Sequence, residues 1–276
     1  MRKTINKLFL IITVISALLL TTGCDLFIKT NKGQVDQKWY MGLTYEDDNG
    51  NDTDYTIGTD GTIAAVALED GYGDEFGIIK GEEAYLNINT IIKNIDKRFY
   101  VDATNNLVMF TDATKTYKTK IGGKTINETE NTDYVISFMD GKNCYVNVKF
   151  VKKYVDFDYK VVKAEGKSPA RIVLKYTSGE KNQMTVKSNI EMRTKADYQN
   201  LIVTTLKKNT KVTVLEESGD WTKVGTDDGF MGYVPAKKLK DKETKKTEFK
   251  SDADTYTHVL MNKKISLGWN AITNLT

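Results

Sequence analysis

The side chain with the most informative chemistry near the start of this 276-residue chain is the thiol of Cys24. It follows three small residues, Thr21–Gly23, which end an apolar run from Leu8 to Leu20 behind a cationic head at Met1–Lys7. This order is typical of a secretory signal, because an apolar core of about a dozen residues is shorter than the ~20 needed to span a bilayer. We therefore predict that the protein leaves the cytoplasm.

The placement of Cys24 directly after these small residues resembles a bacterial lipobox. The resemblance implies a signal peptide at residues 1–23, cleavage before Cys24, and a thiol that carries diacylglycerol with acyl chains such as palmitate. Each buried CH₂ then contributes ~0.8 kcal/mol to membrane binding. The family pattern prefers Leu three residues before the Cys, where this chain has Thr21, with Leu20 one earlier. The alternative to anchoring at the extracytoplasmic face of the membrane is ordinary secretion with a free Cys.

Catalytic, metal-ligating and cofactor-binding residues have few candidates. The only histidine is His258 and the only other thiol is Cys144, so neither a Cys–His nor a Ser–His–Asp arrangement has credible members. We interpret Cys144 as a buried, inert thiol in a strand. The acidic run 47–54 has the composition of a calcium loop, but its Gly falls too early for an EF-hand and no Glu follows at the twelfth position. A hairpin turn is favoured there, and we predict no catalytic residues, no metal site and no cofactor.

Charge is distributed unevenly along the chain. The formal net charge is +3, but Arg2, Lys3 and Lys7 lie in the predicted signal, so the mature chain is near neutral. Acidic residues crowd the first part and lysines the last: Asp47, Asp48, Asp52, Asp54, Asp70, Asp74 and Glu75, against Lys207, Lys208, Lys211, Lys237, Lys238, Lys240, Lys242, Lys245 and Lys246. This asymmetry favours contact of the basic end with anionic wall polymer. With Cys24 lipidated no intrachain disulfide is available, so packed apolar cores must stabilise the fold.

An internal repeat follows a short predicted tether at 24–38. Residues 81–96 align without gaps with residues 141–156, which indicates one supersecondary unit used twice. The two copies share four residues: Gly81 and Gly141, Tyr85 and Tyr145, Asn87 and Asn147, Asp96 and Asp156. In each copy a Tyr–aliphatic pair predicts a strand, and apolar residues at helical spacing predict a short helix after it. Each unit is thus expected to be strand, helix, strand.

This pattern resembles the copper amine oxidase N-terminal-like domain of exported Firmicutes proteins, and we assign residues 39–165 to it. The resemblance implies a non-catalytic spacer or adhesion module. It implies no copper despite the family name, because copper sites need imidazole or thiolate clusters and His258 lies outside the region.

Short runs of alternating residues between turns predict a small barrel at 183–240. Four motifs closely resemble a bacterial SH3 (SH3b) domain: Met192-Arg193, Leu206-Lys207-Lys208-Asn209-Thr210, Asp220-Trp221-Thr222-Lys223-Val224 and Gly232-Tyr233-Val234. The chain departs from the family pattern at Asn209, where Gly is common, and at Thr194–Gln199, a loop that flanks the ligand groove in many members.

The SH3 resemblance implies a ligand-binding surface on this module. We predict a wall-peptide contact centred on Trp221 and Tyr233, with Arg193 and Tyr198 at its rim, because aromatic side chains supply contact area at small entropic cost. The alternative is that Trp221 plugs the barrel as a core residue.

The C-terminal region begins with a predicted Lys/Asp/Thr linker at 241–256. Residues 264–269 then predict a buried strand, which in this domain order resembles the first barrel strand of a glycoside hydrolase family 18 domain, so we assign 257–276 to its start. The family uses an Asp-x-x-Asp-x-Asp-x-Glu strand, with the substrate's own acetamido group as nucleophile. That motif does not occur in the sequence, and the nearest run, Asp156–Lys160, ends in Lys.

Together these patterns predict a multidomain chain of α+β and all-β class, with a repeated strand-helix-strand domain followed by a small SH3-like β-barrel. The favoured function is a non-enzymatic surface lipoprotein whose spacer and SH3-like modules contact peptidoglycan or associated anionic wall polymer, without nucleic acid. The alternative is the N-terminal part of a family 18-like hydrolase of cell-wall or chitin-type glycans, its catalytic domain absent from this chain. A solute-binding lipoprotein is disfavoured, because the sequence after Gly166 lacks the helices for two large α/β lobes.

Overall fold

The computed structural model describes residues 30–250. Cys24, residues 251–256 of the predicted linker and the predicted strand at 264–269 therefore lie outside the described residues. Of the described residues, 48% lie in strands and 9% in helices. The α+β part of the predicted fold class is therefore wrong, and the protein is mostly β-sheet. The apolar residues at helical spacing extend over only one or two turns before the chain returns to strand, so the repeat units remain parts of a sheet.

Five sheets hold the strands of the described part of the chain. The strands are β1 Thr44–Glu46, β2 Asp52–Asp54, β3 Thr62–Ala67, β4 Gly77–Lys80, β5 Glu83–Asn87, β6 Phe99–Asp102, β7 Leu107–Thr111, β8 Thr116–Lys120, β9 Thr125–Ile126, β10 Glu130–Asn131, β11 Ser137–Asp140, β12 Asn143–Asn147, β13 Asp158–Val162, β14 Ala170–Lys175, β15 Gly179–Val186, β16 Ile190–Arg193, β17 Ile202–Leu206, β18 Lys211–Ser218, β19 Trp221–Gly225, β20 Met231–Pro235 and β21 Leu239–Thr247. The helical segments are α1 Gln37–Tyr40, α2 Ile88–Thr90 with a π-helical turn at Ile91–Ile95, α3 Val148–Lys152, and a 3₁₀ turn at Ala236–Lys238.

The first seven-stranded sheet has the order β11-β12-β5-β4-β3-β14-β13, and its only parallel pair among the described strands is β14–β3. Its inner strand β3 is buried on both faces. Ala64 and Val66 enter a core shared with α2, α3 and the three-stranded sheet β6-β7-β8. Ala65 and Ala67 point to the other side, toward the second large sheet. Burial on both faces explains why β3 is a continuous apolar run without alternation.

The two repeat copies meet within this sheet, near its β11 edge. Strands β5 and β12 are antiparallel neighbours, with Asn87 opposite Tyr145 and Asn147 opposite Tyr85. Each Asn ends its strand and caps the following helix, accepting from the backbone N–H two residues later at 2.9 Å for Asn87 and 2.8 Å for Asn147. Asn is a favoured N-cap because its short side chain satisfies an unpaired N–H of the first turn. The copies are thus related by an approximate two-fold axis between the paired strands.

The second seven-stranded sheet has the order β17-β16-β20-β19-β18-β15-β21 and remains open, because its edge strands β17 and β21 do not pair. The predicted SH3-like barrel is therefore wrong for the described residues, since closure requires the two edges to bond. Strand β15 instead forms a long ribbon with β21, from Gly179 opposite Thr247 to Val186 opposite Leu239. Residues 241–247, expected as linker, are consequently strand, and their exposed lysines suit a sheet edge.

The two large sheets pack face to face around a shared core. One cluster of buried side chains joins Ala65 and Tyr85 of the first sheet to Val224 and Val234 of the second. The domain boundary predicted at residue 165 falls between β13 and β14 of the first sheet.

The predicted solvated tether also differs in its described part. Residues 31–35 run beside β17, where the Val35 N–H donates to the Ile202 carbonyl and the Ile202 N–H donates to the Gly33 carbonyl, both at 2.9 Å. Val35 is buried. The chain then enters α1, whose first turn is capped by the Asp36 carboxylate. This segment is held on the second seven-stranded sheet, which we call the SH3-like sheet, by its pairing with β17. No local pattern in 24–38 indicates that pairing, because β17 lies far away in the chain.

Candidate functional site

The candidate ligand surface lies on the outer face of the β19–β20 hairpin and the neighbouring strand β16. Strand alternation sends Val224 and Val234 into the core, so Trp221 and Tyr233 point to the opposite face. Tyr233 lies directly opposite Arg193 in the β16–β20 register. The hairpin and β16 therefore bring together three of the four ligand-binding residues predicted from the sequence.

The fourth predicted residue, Tyr198, contacts Trp221. Their ring centroids are 4.8 Å apart at an interplanar angle of 63°, an edge-to-face arrangement that aromatic quadrupoles favour. Both side chains are half-buried. Trp221 is thus neither a fully buried plug nor a fully exposed anchor, and its role in binding stays a prediction.

Arg193 does not occupy the exposed rim that the sequence interpretation expected. Its side chain is 1% exposed, and its guanidinium donates to the Asn31 carbonyl at 2.9 Å, to the Asn200 carbonyl at 2.6 Å and to the Glu191 carboxylate. The guanidinium carbon also lies 5.9 Å from the centre of the Tyr198 ring. With its donors used inside the protein, Arg193 ties the 194–201 loop to the N-terminal segment and so fixes the position of Tyr198.

A cavity of about 410 Å³ adjoins this loop, and the sequence interpretation missed it. Its lining comes from two distant parts of the chain: Val35, Trp39, Tyr40, Thr194, Lys195, Gln199, Asn200 and Leu201. Trp39 is 53% exposed and Leu201 is 38% exposed, which is unusual for apolar side chains of this size. The Trp39-Tyr40 pair directly after the predicted tether could have indicated a contact surface from the sequence. Only the docking of residues 31–35 shows that this pair lies beside the SH3-like sheet.

Tyr40 lines this cavity and also bonds to the backbone of β20. Its hydroxyl donates to the Met231 carbonyl at 3.0 Å. Burial, with a smaller contribution from the neighbouring Tyr233, raises the pKa of Tyr40 to about 12. The Tyr40 hydroxyl is therefore neutral at neutral pH, and Lys195 lines the same cavity.

The two other residues that the sequence singled out for chemistry, Asp47 and Cys144, lie in a turn and in the core, respectively. The run 47–54 forms the predicted hairpin β1–β2, in which the N–H groups of Asn51 and then Asn49 lower the pKa of Asp47. Within residues 30–250 no group of three or more His, Cys, Asp and Glu side chains could hold a metal ion. Burial raises the pKa of the Cys144 thiol to about 11, so it is protonated at neutral pH.

The helices between residues 30 and 250 are all too short or too polar to cross a membrane.

Comparison with known proteins identifies one segment of the chain. Residues 188–240 match the protein-family model described as Bacterial SH3 domain. No curated protein matches the chain, and no solved structure does. The matched segment includes the four predicted ligand-binding residues, whereas the copper amine oxidase-like, lipoprotein and family 18 assignments stay predictions. At residues 188–240 the chain is thus similar to bacterial SH3 domains, as its sequence motifs predict.

Proposed function

We propose that this protein is a non-enzymatic lipoprotein of the extracytoplasmic membrane face whose SH3-like segment binds peptidoglycan or the anionic polymer associated with it. The observation that carries the proposal is the bacterial SH3 match over residues 188–240, since such domains commonly bind peptidoglycan. The half-exposed pair Tyr198 and Trp221 lies within that segment.

The aromatic groups support recognition of a glycan strand with peptide stems. Trp and Tyr rings offer rigid apolar faces together with a polar atom, a combination that contributes strongly to binding. Trp39 adds a third exposed ring beside the 194–201 loop. The buried hydrogen bonds of Arg193 hold that loop in place before a ligand arrives, which lowers the entropic cost of binding.

The N-terminal segment supports a position close to the membrane. Asn31 is fixed to the SH3-like sheet by a 2.9 Å hydrogen bond from its N–H to the Tyr198 carbonyl. Asn31 lies seven positions after Cys24, and seven fully extended steps of the chain reach at most ~25 Å. A diacylglycerol on Cys24 therefore keeps this surface in the innermost layer of the wall.

Binding to purified sacculi tests the wall-binding proposal. Trp39→Ala and Trp221→Ala are each expected to lower the affinity of the chain about 5–30-fold, as for aromatic anchors that contribute 1–2 kcal/mol. Tyr100→Ala is the matched control, because Tyr100 is 42% exposed on the three-stranded sheet. Sacculi stripped of anionic polymer distinguish the two wall components. Undiminished binding by both Trp variants would contradict the proposed surface.

Metabolic labelling with an azido fatty acid tests the anchor. The wild-type chain is expected to carry label, and Cys24→Ala is expected to carry none. Equal label in both proteins would exclude Cys24 as the lipidated residue while leaving the wall-binding proposal intact.

A second proposal, that the chain begins a family 18-like hydrolase, rests on the strand pattern at 264–269 outside the described residues. Reading the coding sequence downstream of Thr276 tests it. An open frame that encodes the Asp-x-x-Asp-x-Asp-x-Glu motif is the expected result, and a frame without it contradicts the proposal.

A further inference from the structure

Three separate segments of the chain come together at one end of the SH3-like sheet. The end of β15 lies between the other two segments: the Asn209 N–H donates to the Val186 carbonyl at 2.8 Å, and the Lys187 N–H donates to the Lys238 carbonyl at 2.9 Å. The register agrees, because β15 pairs with β18 on one side and with β21 on the other. The fold therefore makes neighbours of residues 185–190, 206–211 and 236–241.

These segments carry seven lysines, which we call the lysine patch: Lys187, Lys207, Lys208, Lys211, Lys237, Lys238 and Lys240. All of them are exposed except Lys238, which is half-buried. Asp241 lies 3.1 Å from Lys240 and Glu243 lies 3.7 Å from Lys211. Asp220 adjoins the patch through its carbonyl, which accepts from the Ala236 N–H at 2.8 Å. Because the lysines outnumber these carboxylates, the patch is strongly positive.

Three ammonium groups of the patch are available to a ligand. Lys187, Lys207 and Lys208 have no ion pair with a carboxylate among residues 30–250. The Lys187 ammonium donates to the Lys237 carbonyl at 2.7 Å, which leaves two of its three N–H donors. Lys207 and Lys208 lie in a turn that the Thr210 N–H closes by donating to the Lys207 carbonyl at 3.1 Å. The backbone that presents these side chains is thus fixed by hydrogen bonds.

The lysine patch and the 194–201 loop lie at opposite ends of the β16–β17 hairpin. The loop follows Arg193, whereas Lys207 comes directly after the last residue of β17. The five residues of β17 separate the two ends by ~16 Å. Asn31 is bonded at the loop end, so the patch lies at the end of the sheet away from the segment that leads to Cys24. This position favours a polymer of the wall over the membrane surface as the partner.

We propose that the lysine patch binds the phosphodiester backbone of an anionic wall polymer. The inference rests on the wall-binding function proposed above, and it assigns the anionic component to a surface separate from the aromatic rings. Lysine ammonium groups are point charges on flexible stems, and they bind phosphate oxygens without a fixed planar geometry. A single exposed ion pair contributes little, so a chain of phosphates that meets several lysines at once gains the most.

Isothermal titration calorimetry of the full chain in non-ionic detergent with delipidated poly(glycerol phosphate) tests the proposal. We expect saturable binding at low salt that weakens as the salt concentration rises, because the release of counterions drives such binding. Glycerol 3-phosphate at the same phosphate concentration is expected to give no saturable heat, since each molecule carries one phosphate group.

Removal of three lysines makes the test specific. The triple variant Lys187→Gln, Lys207→Gln and Lys208→Gln is expected to weaken polymer binding on the order of 10-fold and to make it less dependent on salt. An unchanged thermal unfolding transition shows that the fold is kept, as expected for exposed side chains.

A second triple variant removes the same charge from another part of the molecule. Lys97, Lys142 and Lys167 are exposed lysines outside the patch, and their joint change to Gln is expected to alter the affinity for the polymer less than ~2-fold, because salt screens distant charges.

The lysine patch and the aromatic rings are tested independently. The triple variant of the patch is expected to bind sacculi stripped of anionic polymer as the wild type does. Trp39→Ala and Trp221→Ala are expected to bind poly(glycerol phosphate) as the wild type does. A failure of the inference is therefore distinguishable from a failure of the proposed wall-binding surface.

Three outcomes would overturn the proposal. The first is the absence of saturable polymer binding to the wild-type chain. The second is equal weakening by the two triple variants, which would mean that only the overall charge matters. The third is displacement of the polymer by detergent micelles that contain phosphatidylglycerol at the same phosphate concentration, because a lipid head group would then be the partner.

Discussion

The two ends of the β19–β20 hairpin have different surroundings, although one pair of strands forms both. The loop end at 226–230 packs against the first sheet, where Phe230 is 8% exposed under the Arg171 guanidinium at 4.3 Å. The Tyr72 hydroxyl donates to the Gly229 carbonyl at 3.0 Å. The other end, at Trp221, has an aromatic contact with Tyr198 of the β16–β17 loop and remains half-exposed. One end of the hairpin therefore joins the two sheets, while the other leaves aromatic area accessible.

The largest expected effect comes from the docked end. Phe230→Ala should lower the free energy of unfolding by about 3 kcal/mol, because truncation of a buried ring loses its apolar contacts and leaves a cavity. Urea unfolding measures this loss. Trp221→Ala at the accessible end is expected to cost clearly less. Equal losses for the two variants would mean that the ends do not differ in packing.

Two glycines, one near each end of the hairpin, are expected to differ in the same way. Gly229 has φ +85° and Gly219, in the β18–β19 turn, has φ +59°, so either Gly→Ala change introduces the left-handed strain of ~1–2 kcal/mol. A Cβ at Gly229 would also lie 2.8 Å from Cγ2 of Val173, whereas one at Gly219 would meet open space. Thermal or urea unfolding should therefore show Gly229→Ala to be more destabilising by about 1 kcal/mol. Identical losses would contradict tight docking of the loop.

A pH dependence is expected at Tyr40, whose hydroxyl bonds to the backbone of β20. Because the pKa of Tyr40 is raised to about 12 in the folded protein, against ~10 in the unfolded chain, folding favours the neutral phenol. Its contribution is fully present below pH ~10 and is lost as the pH rises through the folded pKa of about 12. Tyr40→Phe should therefore lose less stability between those pH values than the wild type in urea unfolding. Tyr100→Phe is the control at an exposed position, and an unchanged slope in Tyr40→Phe would contradict the buried environment of Tyr40.

Much of the repeat and of the SH3-like segment could be predicted from local sequence. Asn87 and Asn147 recur at matching positions because each must end a strand and cap the next turn, and both requirements act within a few residues. The motifs around Arg193, Trp221 and Tyr233 likewise identified the bacterial SH3 segment. The side-chain amides of these two asparagines bond to carboxylates from non-equivalent positions, Glu75 for Asn87 and Glu83 for Asn147, which the repeat pattern alone does not show.

Local sequence predicts the repeat, the turns and capped helical segments, and the bacterial SH3 character of residues 188–240, because these depend on neighbouring residues. Four features follow only from the folded structure: the second sheet stays open, residues 31–35 lie beside β17, Arg193 is buried, and Trp39 reaches the 194–201 loop. Each of these outcomes depends on pairing or burial between segments far apart in the chain. Hydrogen bonds to the Asn31 and Asn200 carbonyls, for example, allow the Arg193 charge to be buried, and one of those partners is 162 residues away. No pattern around Arg193 carries that information, because the free energy that buries its guanidinium comes from groups that only the fold brings to it.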